Sequence, residues 1–206
     1  MPSKTIKRVY FCSHPFDIFE NVYEPAEDSF LFAENLDVAD GAEVLDMGVG
    51  CGLLAVVAAQ KARAVLAVDI NPYAICCAKA NSALNNVRGK IAFLQADLFS
   101  ALSNNARFDL ILFNAPYLPS EESEEASWLG RSWAGGASGR KVIDSFISQT
   151  PVHLRAGGRV LLMQSTLAGV KETLLKFEEH TLKAAVKVEC SLPFFETLTL
   201  IEAMLY

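Results

Sequence analysis

The sequence lacks a hydrophobic run long enough to cross a membrane. The longest apolar run, Leu53 to Ala59, is far shorter than the ~20 residues that a transmembrane helix requires. Residues 1–16 also lack the basic start and the continuous apolar stretch of a secretion signal. These two absences predict a cytoplasmic protein.

An excess of basic residues is missing as well. The 206 residues include 18 Lys and Arg against 24 Asp and Glu, which gives a formal net charge of -6. Proteins that bind nucleic acids mainly through phosphate contacts usually carry a basic surface. The charge balance therefore disfavours direct binding to nucleic acid.

Cysteine and histidine patterns of metal sites are also absent. The five cysteines are Cys12, Cys51, Cys76, Cys77 and Cys190. They form no CxxC pair, and their odd number suits a reducing compartment better than a disulfide framework. The three histidines, His14, His153 and His180, are far apart and match no metal-ligand spacing. We expect no protein-bound metal.

The composition indicates one globular domain. Hydrophobic residues make up 51% of the chain and charged residues 20%, which is enough apolar surface to offset the entropy of ordering. At ~150 residues per domain, a chain of this length corresponds to one large domain rather than two.

Strand-length apolar runs alternate with helix-length amphipathic stretches, which is typical of βαβ units and a parallel sheet. The predicted strands are residues 42–47, 64–70, 91–95, 108–114 and 158–163, and the predicted helices include residues 51–61, 72–84 and 167–178. Pro72 suits the first turn of its helix, with Asn71 as the N-cap. Residues 184–190 and 196–205 have no helix between them and predict an antiparallel hairpin that closes the sheet.

Three glycines follow the first predicted strand. Gly48, Gly50 and Gly52 let the backbone approach a nucleotide-like ligand where a helix begins. The dinucleotide fingerprint needs Gly or Ala where this chain has Leu53. Asp46 precedes the loop, and its carboxylate would repel a pyrophosphate. The pattern therefore indicates a cationic cofactor.

The next two predicted strands also end in acidic residues. Asp69 ends the second strand, where it could accept hydrogen bonds from both hydroxyls of a ribose, and Asp97 follows the third. Three such carboxylates resemble the class I S-adenosylmethionine-dependent methyltransferases. The resemblance implies a Rossmann-like α/β fold with helices on both faces of a seven-stranded, mostly parallel sheet. Its strand order is 3-2-1-4-5-7-6, with the last strand antiparallel.

The same resemblance implies S-adenosyl-L-methionine as cofactor and assigns a part of it to each acidic strand end. Asp46 and Gly48 would lie near the methionine part. Asp69 would hold the ribose. Asp97 and the backbone of Leu98 would hold the adenine.

The fourth predicted strand ends in Asn114-Ala115-Pro116-Tyr117. Pro116 bends the chain so that the Asn114 side-chain oxygen and the Ala115 carbonyl can converge on one NH₂ group. The ring of Tyr117 offers a stacking surface. The tetrapeptide resembles the Asn-Pro-Pro-Tyr motif of methyltransferases that act on planar NH₂ nitrogens, which implies that these four residues are catalytic and that Asn114 also contacts the cofactor. Ala115 replaces the usual first proline and keeps the carbonyl acceptor.

Further segments narrow the resemblance. They are Tyr23 to Phe30, Trp133 to Gly136, Gly139-Arg140 and Glu196 to Leu198. From about Tyr23 to the C-terminus the chain resembles the short HemK-type glutamine methyltransferases of archaea and eukaryotes. This implies N5-methylation of the glutamine in the Gly-Gly-Gln motif of a class I peptide-chain release factor, and it brings Ser29 near the cofactor. Residues 1–22 then form a short extension of one domain over residues 1–206.

A partner is implied by the same resemblance. In this strand order the third predicted strand, Ile91 to Gln95, lies at a sheet edge, and an apolar edge with unpaired backbone groups invites another chain. The short HemK-type enzymes work with a small zinc-binding activator subunit that adds a strand at this edge. We therefore expect a heterodimer.

Other substrates stay open at this point. An N6-adenine or guanine N2 methyltransferase would use the same tetrapeptide, with Tyr117 stacking on the base. A protein lysine methyltransferase would need a pocket for a flexible cation, which the acidic stretch Ser120 to Glu125 could attract. A non-catalytic cofactor-binding module would leave Asn114 to Tyr117 without a purpose.

The loop Pro119 to Arg140 follows the tetrapeptide directly. It is longer than the ~12 to 15 residues that structureless loops of compact domains usually reach, and such loops are often lids. The sequence predicts a mobile lid that closes over the substrate, with Trp133 and the flexible Gly135 and Gly136 as its closing face.

Overall fold

The structure, a computed structural model, describes residues 4–205 apart from the side chain of Phe194. The chain divides between Ala101 and Leu102 into two compact units. The assignment of a single domain with an N-terminal extension remains a prediction.

The first unit combines a hairpin with three parallel strands and three helices. Its elements are β1 (Thr5–Phe11), β2 (His14–Phe19), α1 (Glu27–Glu34), β3 (Glu43–Met47), α2 (Leu53–Ala58), β4 (Ala64–Asp69), α3 (Pro72–Leu84) and β5 (Ile91–Gln95). Strands β1 and β2 pair antiparallel as a separate two-stranded sheet. Strands β3, β4 and β5 pair parallel, with Met47 opposite Val68 and Asp69 opposite Gln95. Their carboxyl ends therefore meet at one edge.

The second unit continues the alternation and ends in a hairpin. Its elements are β6 (Phe108–Asn114), α4 (Trp128–Arg131), α5 (Lys141–Gln149), β7 (Leu154–Ser165), α6 (Val170–Glu179), β8 (Leu182–Ser191) and β9 (Thr197–Leu205). Strands β6 and β7 are parallel, with Asn114 opposite Met163. Strand β9 runs antiparallel to both β7 and β8.

The seven-stranded sheet has the order β5-β4-β3-β6-β7-β9-β8. This confirms the predicted order, with β9 as the antiparallel strand. Strands that are covered on both faces read as almost continuous apolar runs, and Leu110 to Phe113 in β6 are all buried. Strands β5 and β8 form the two edges of the sheet.

The predicted helix at Pro72 is confirmed in its bounds and in its cap. Asn71 is the N-cap residue, and its side chain accepts a hydrogen bond from the backbone N–H of Tyr73 over 2.9 Å. Pro72 occupies the first turn, where its missing N–H costs no hydrogen bond. The predicted helix over residues 51–61 is shorter, because Gly52 has a left-handed backbone and the last residues form tight turns after Ala58.

The hairpin of β1 and β2 was not predicted. Strand β1 contains no buried residue, so it lacks the alternation by which a strand is recognised. Only β2 shows this alternation, with Phe16 and Ile18 fully buried. Among residues 4–205, none of the helices has the length and apolar character to span a bilayer.

Candidate active site

The predicted site residues fall into two groups, one in each unit. The first group comprises Ser29, Asp46, Gly48, Gly50, Gly52, Asp69, Asp97 and Leu98. The second group comprises Asn114, Ala115, Pro116 and Tyr117. Each group is built by its own unit.

The loop after β3 needs glycine at three positions for its backbone. Gly48, Gly50 and Gly52 have φ values of 69°, 54° and 90°, a region that residues with a Cβ rarely adopt. Gly52 also packs closely on α3, because a Cβ there would lie 3.1 Å from the Cα and Cβ of Ala78. The third glycine therefore serves helix packing, while Gly48 and Gly50 shape the turn.

Asp46 carries a buried carboxyl group. It is 1% exposed, and within the described part of the chain neither of its oxygens has a hydrogen-bond partner. Burial is the largest cause that raises the pKa of Asp46 to about 8, and the charge of Asp69 adds to the rise. The backbone of Ala55 opposes it. A buried carboxyl of this kind is neutral near pH 7 and ionises when a cation approaches it.

Asp69 connects the end of β4 to the glycine loop. Its Oδ2 accepts a hydrogen bond from the Gly50 N–H over 2.9 Å, and its Oδ1 accepts one from the Asn71 N–H over 2.8 Å. Burial raises the pKa of Asp69, and these backbone donors oppose the rise. Each carboxylate oxygen can accept a further hydrogen bond, so Asp69 can still receive two hydroxyl donors.

Asp97 and Leu98 form the turn after β5. The Asp97 side chain is exposed, and its backbone carbonyl accepts a hydrogen bond from the Ser100 N–H over 3.0 Å. The turn is joined to β4, because the Ala96 N–H donates to the Asp69 carbonyl over 3.0 Å. Leu98 has a φ of 45°, a left-handed conformation that is strained in residues with a Cβ and that is often found at ligand sites.

Ser29 lies at the start of α1 in a buried polar cluster. Its N–H and its hydroxyl both donate to Oδ1 of Asp28, over 2.6 and 3.1 Å, and the Tyr23 hydroxyl donates to the same oxygen over 3.2 Å. Burial and the charge of Asp28 raise the pKa of Tyr23. The sequence predicted a site role for Ser29 and none for Asp28. An acidic residue directly before the selected serine, in the first turn of a helix, was the available signal.

The polar groups of the first unit fit one kind of ligand. The buried carboxyl of Asp46 suits a positive charge, and Asp69 suits a pair of hydroxyl donors. Ser29 forms none of the hydrogen bonds that join Asp69 to the glycine loop. Among residues 4–205, no group of three or more Cys, His, Asp or Glu side chains could hold a metal ion.

In the second unit, the end of β6 is held by its neighbour β7. The Ala115 N–H donates to the Met163 carbonyl over 3.3 Å, and Ala115 is buried. One residue earlier, the ring of Phe113 packs against Phe146 of α5, with centroids 4.6 Å apart. The side-chain oxygen of Asn114 is buried at this strand end. The strand end is therefore fixed on both sides of Asn114.

The backbone of Tyr117 packs closely against Gly139. A Cβ on Gly139 would lie 2.3 Å from the Tyr117 carbonyl oxygen, and Gly139 has a φ of 71°. Arg140 follows it and donates through Nη1 to the carbonyls of Ala168 and Gly169, over 2.5 and 2.9 Å. These contacts fasten the segment behind Tyr117 to the turn that precedes α6.

The loop Pro119 to Arg140 has more internal structure than its sequence suggested. Leu118 forms an isolated β-bridge with Ala134, and α4 lies within the loop. A Cβ on Gly135 would lie 2.6 Å from the Gly139 carbonyl oxygen. The sequence predicted a flexible Gly135, whereas in the structure Gly135 packs against Gly139. The mobility of the loop remains a prediction.

The chain is similar over most of its length to proteins of known families. Residues 24–129 match the methyltransferase small domain family. A protein of Methanocaldococcus jannaschii, whose name provisionally assigns it to the protein N5-glutamine methyltransferases, is 43% identical over 181 residues, which cover 87% of the chain and 90% of that protein. Methyltransferase HEMK2 of Homo sapiens is 33% identical over 70% of the chain and 72% of its own length.

A bacterial protein and two solved structures are also similar. The release factor glutamine methyltransferase of Rhodopirellula baltica is 30% identical over 80% of the chain and 61% of its own length. One chain of the E. cuniculi Mtq2–Trm112 complex, which is responsible for methylation of the eRF1 translation termination factor, is similar over 91% of this chain and 100% of its own length. The TM-score is 0.67 and the sequence identity is 22%. The T. thermophilus 16S rRNA N2 G1207 methyltransferase reaches a TM-score of 0.73 at 18% identity, over 97% of the chain and 50% of its own. These structures establish the shared fold.

Proposed function

Because the chain belongs to the HemK-type protein-glutamine methyltransferases, a branch of the class I methyltransferases, we propose that it methylates N5 of the glutamine in the Gly-Gly-Gln motif of a class I release factor. S-adenosyl-L-methionine is the proposed methyl donor. The observation that carries the proposal is Asn114-Ala115-Pro116-Tyr117 at the fixed end of β6 in a chain with glutamine-methylating relatives.

The first unit supplies the residues proposed to hold the cofactor. Asp46 offers its buried carboxyl to the cationic methionine part, beside the backbone of Gly48. Asp69 accepts the ribose hydroxyls, and Asp97 with the Leu98 backbone holds the adenine. Ser29, whose hydroxyl donates to Asp28, is proposed to lie near the cofactor. When bound, S-adenosylmethionine supplies an electrophilic methyl group on a positively charged sulfur.

The second unit supplies the residues proposed to hold the substrate amide. The Asn114 side-chain oxygen and the Ala115 carbonyl accept the two N–H groups of the glutamine side chain, and the Tyr117 ring stacks on the amide plane. Methylation would join this nitrogen to the methyl group that the bound cofactor supplies, and the nitrogen would give up one proton to water. An amide nitrogen is a poor nucleophile because its lone pair is delocalised, so orientation and acceptor oxygens carry the catalysis.

Two features favour a protein substrate over nucleic acid. The chain carries a net charge of -6, and phosphate-binding proteins usually need a basic surface. Its relatives over most of the chain are named as glutamine methyltransferases. Similarity to an rRNA methyltransferase at 18% identity concerns the fold alone.

A small activator subunit at the β5 edge is part of the proposal. The two sheet edges differ, because β8 carries Lys183, Lys187 and Glu189 and an irregular register near Val186, whereas Ile91 to Gln95 contains no charge. Charges and bulges protect an edge from pairing, and an uncharged regular edge accepts a strand. The similar Mtq2 occurs in a complex with Trm112. The zinc of the activator follows from the family resemblance.

A cytoplasmic location also belongs to the proposal. Release factors act on ribosomes, and all five cysteines of this chain are free thiols, which suits a reducing compartment.

The experiment that tests the proposed reaction is methyl transfer from labelled S-adenosylmethionine to purified substrates. A release factor should accept the label, and the same factor with its Gly-Gly-Gln glutamine changed to alanine should not. Total RNA, duplex DNA and a lysine-rich protein serve as competing acceptors at moderate salt. Label in any of these, with an unlabelled release factor, would overturn the proposal.

A further inference from the structure

The N-terminal hairpin is attached to α3 by three asparagine side chains. Asn85 donates to the Pro15 carbonyl over 2.8 Å. Asn81 accepts from the backbone N–H of Asp17 over 2.8 Å and donates to the Asp17 carbonyl over 2.9 Å. The N-cap residue Asn71 donates to the Asn21 carbonyl, just after β2, over 2.8 Å. All three asparagines are buried, and the hydrogen bonds they form with the hairpin segment are partly shielded from water.

Asn81 joins the hairpin to the glycine loop. Its Nδ2 donates to the Asp17 carbonyl of β2 and also to the Cys51 carbonyl, over 2.8 Å. The side chain is 0% exposed. An amide nitrogen has two protons. One is donated to the hairpin and the other to the glycine loop. A displacement of the hairpin is therefore transmitted directly to the loop between Gly50 and Gly52.

Asn71 makes a second connection of the same kind. Its side chain holds the Asn21 carbonyl, and its own backbone N–H donates to Oδ1 of Asp69 over 2.8 Å. The hairpin segment is thus joined to both elements that are proposed to hold the cofactor, the glycine loop and Asp69. The third asparagine, Asn85, donates to the carbonyls of Pro15 and Asn81, over 2.8 and 2.9 Å, and contacts His14; these hydrogen bonds reach neither the glycine loop nor Asp69.

The hairpin is held in place by two buried side chains and an ion pair between its strands. Phe16 and Ile18 of β2 are fully buried. Across the two strands, Arg8 forms a bidentate ion pair with Asp17 over 2.6 and 2.9 Å, a geometry that fixes the orientation of both partners. Asp17, the acidic partner of this ion pair, is also the residue whose backbone N–H and carbonyl are hydrogen-bonded to Asn81.

We propose that Asn81 and Asn71 are positioning residues through which the N-terminal hairpin sets the geometry of the cofactor pocket. This inference rests on the proposed use of S-adenosylmethionine. Asn81 acts on the glycine loop, which faces the methionine part in the proposed arrangement. Asn71 acts on Asp69, which faces the ribose. The hairpin therefore contributes to the geometry of the cofactor site.

The proposal is tested by calorimetry with two ligands on the full-length chain. S-adenosylhomocysteine contains the amino-acid part and the nucleoside, and 5′-methylthioadenosine lacks the amino-acid part. Asn81→Ala should weaken binding of S-adenosylhomocysteine by about 5-fold or more, in the range of ordinary coupling between sites. It should weaken binding of 5′-methylthioadenosine less, because Asp69 keeps its hydrogen bond from the Asn71 N–H when the glycine loop is displaced. Asn71→Ser, which keeps a helix cap, should weaken both ligands.

Asn85→Ala is the matched control. It removes a buried asparagine contact between α3 and the hairpin without touching the glycine loop or Asp69, so both affinities should stay within about 2-fold of the wild type. Equal losses in Asn85→Ala and Asn81→Ala would overturn the positioning role, and so would a wild-type affinity in Asn81→Ala. Failure of the wild-type chain to bind S-adenosylhomocysteine would instead overturn the proposed function.

Hydrogen exchange on the wild-type chain provides a second test that needs no variant. Coupling between two sites is reciprocal, so saturation with S-adenosylhomocysteine should slow exchange at the Asp17 N–H, whose acceptor is Asn81. Unchanged exchange across β1 and β2, with slower exchange in the glycine loop, would overturn the proposal even if Asn81→Ala does not fold.

Discussion

The backbone N–H of Gly50 donates a hydrogen bond to Oδ2 of Asp69 over 2.9 Å. The loop that follows β3 and the carboxylate that ends β4 thus hold each other in place. This relationship makes Asp69 both a proposed ligand of the ribose and a support for the glycine loop. Its loss should therefore affect more than one part of the cofactor.

Asp69→Asn should raise the Kd of S-adenosylhomocysteine by about tenfold or more, because the ribose loses charge-assisted hydrogen bonds. Asparagine keeps the size of the side chain and one acceptor oxygen. Asp69→Ala is the harsher change, since it leaves the Gly50 and Asn71 N–H groups without their acceptor, at ~1 to 3 kcal/mol each. Calorimetry measures the affinity of both variants. Wild-type affinity in Asp69→Asn would remove Asp69 from the ribose site.

Cofactor binding should release a proton near pH 7. Asp46, with a pKa of about 8 in the free protein, is mostly neutral there, and a bound cation favours its ionised form. Affinity should rise as the pH rises from about 6 to 8 and then level off. Asp69 and Cys51 are the titratable neighbours of Asp46. Calorimetry in buffers of different ionisation enthalpy measures the released proton, and Asp46→Asn should abolish the release.

The same carboxyl should make the free protein less stable as the pH rises. A folded-state pKa raised above the unfolded value means that the unfolded state binds fewer protons between the two values. The stability that Asp46 contributes is therefore complete below about pH 4 and declines up to about pH 8. In thermal melts without ligand, Asp46→Asn should lose this decline. An identical pH dependence in the variant and the wild type would contradict the assignment.

Asn114→Ala should reduce turnover by roughly 10²-fold or more, while cofactor affinity stays within a few fold. The variant removes an acceptor oxygen proposed to stabilise the positive charge that develops on the amide nitrogen. Initial rates at saturating cofactor, with a release factor as substrate, separate the two effects. Unchanged turnover would remove Asn114 from the mechanism.

Gly139→Ala should lower turnover because a Cβ would press on the Tyr117 carbonyl, 2.3 Å away. We expect a loss of about tenfold or more in kcat with cofactor affinity within about 2-fold. Gly157→Ala is the matched control, since Gly157 has a similar φ of 74° and no atom within 4 Å of its added Cβ. Equal turnover in the two variants would show that backbone strain, and not the position of Tyr117, explains the loss.

Phe93→Asp should prevent binding of the proposed activator at β5. The Phe93 ring lies on the edge strand, with the Arg88 guanidinium 5.0 Å from its centroid. Copurification from the native host should yield a heterodimer for the wild type and for Val186→Asp, a control on the opposite edge strand. A fully active wild-type monomer without a small companion would reject the partner.

The sequence was sufficient to predict the sheet because most of its strands are runs of apolar residues, and β3 and β6 are almost fully buried. Residues 91–95 and 108–114 were predicted with the bounds that β5 and β6 have, since continuous apolar runs need no periodicity to be recognised. The hairpin was missed because β1 buries no residue and because β2 and the segment after it are held by asparagines 50 to 70 residues further along the chain. Long-range polar contacts of this kind leave no local pattern.

The candidate site was also predicted only in part. The acidic strand ends and the glycine loop were recognisable, because their chemistry lies in consecutive residues. The role of Asp28 was not, because it depends on the Tyr23 and Ser29 donors that converge on one oxygen. The packing of Gly135 and Gly139 also follows from contacts between distant parts of the loop, which composition alone does not reveal.

Tandem mass spectrometry of a release factor, after incubation with the enzyme and labelled S-adenosylmethionine, tests the central claim most directly. The account predicts one labelled methyl group on the side-chain nitrogen of the Gly-Gly-Gln glutamine, formed by the wild type and at least about 10²-fold more slowly by Asn114→Ala. A methyl group on a lysine, or an unmodified glutamine after complete turnover of the cofactor, would contradict it.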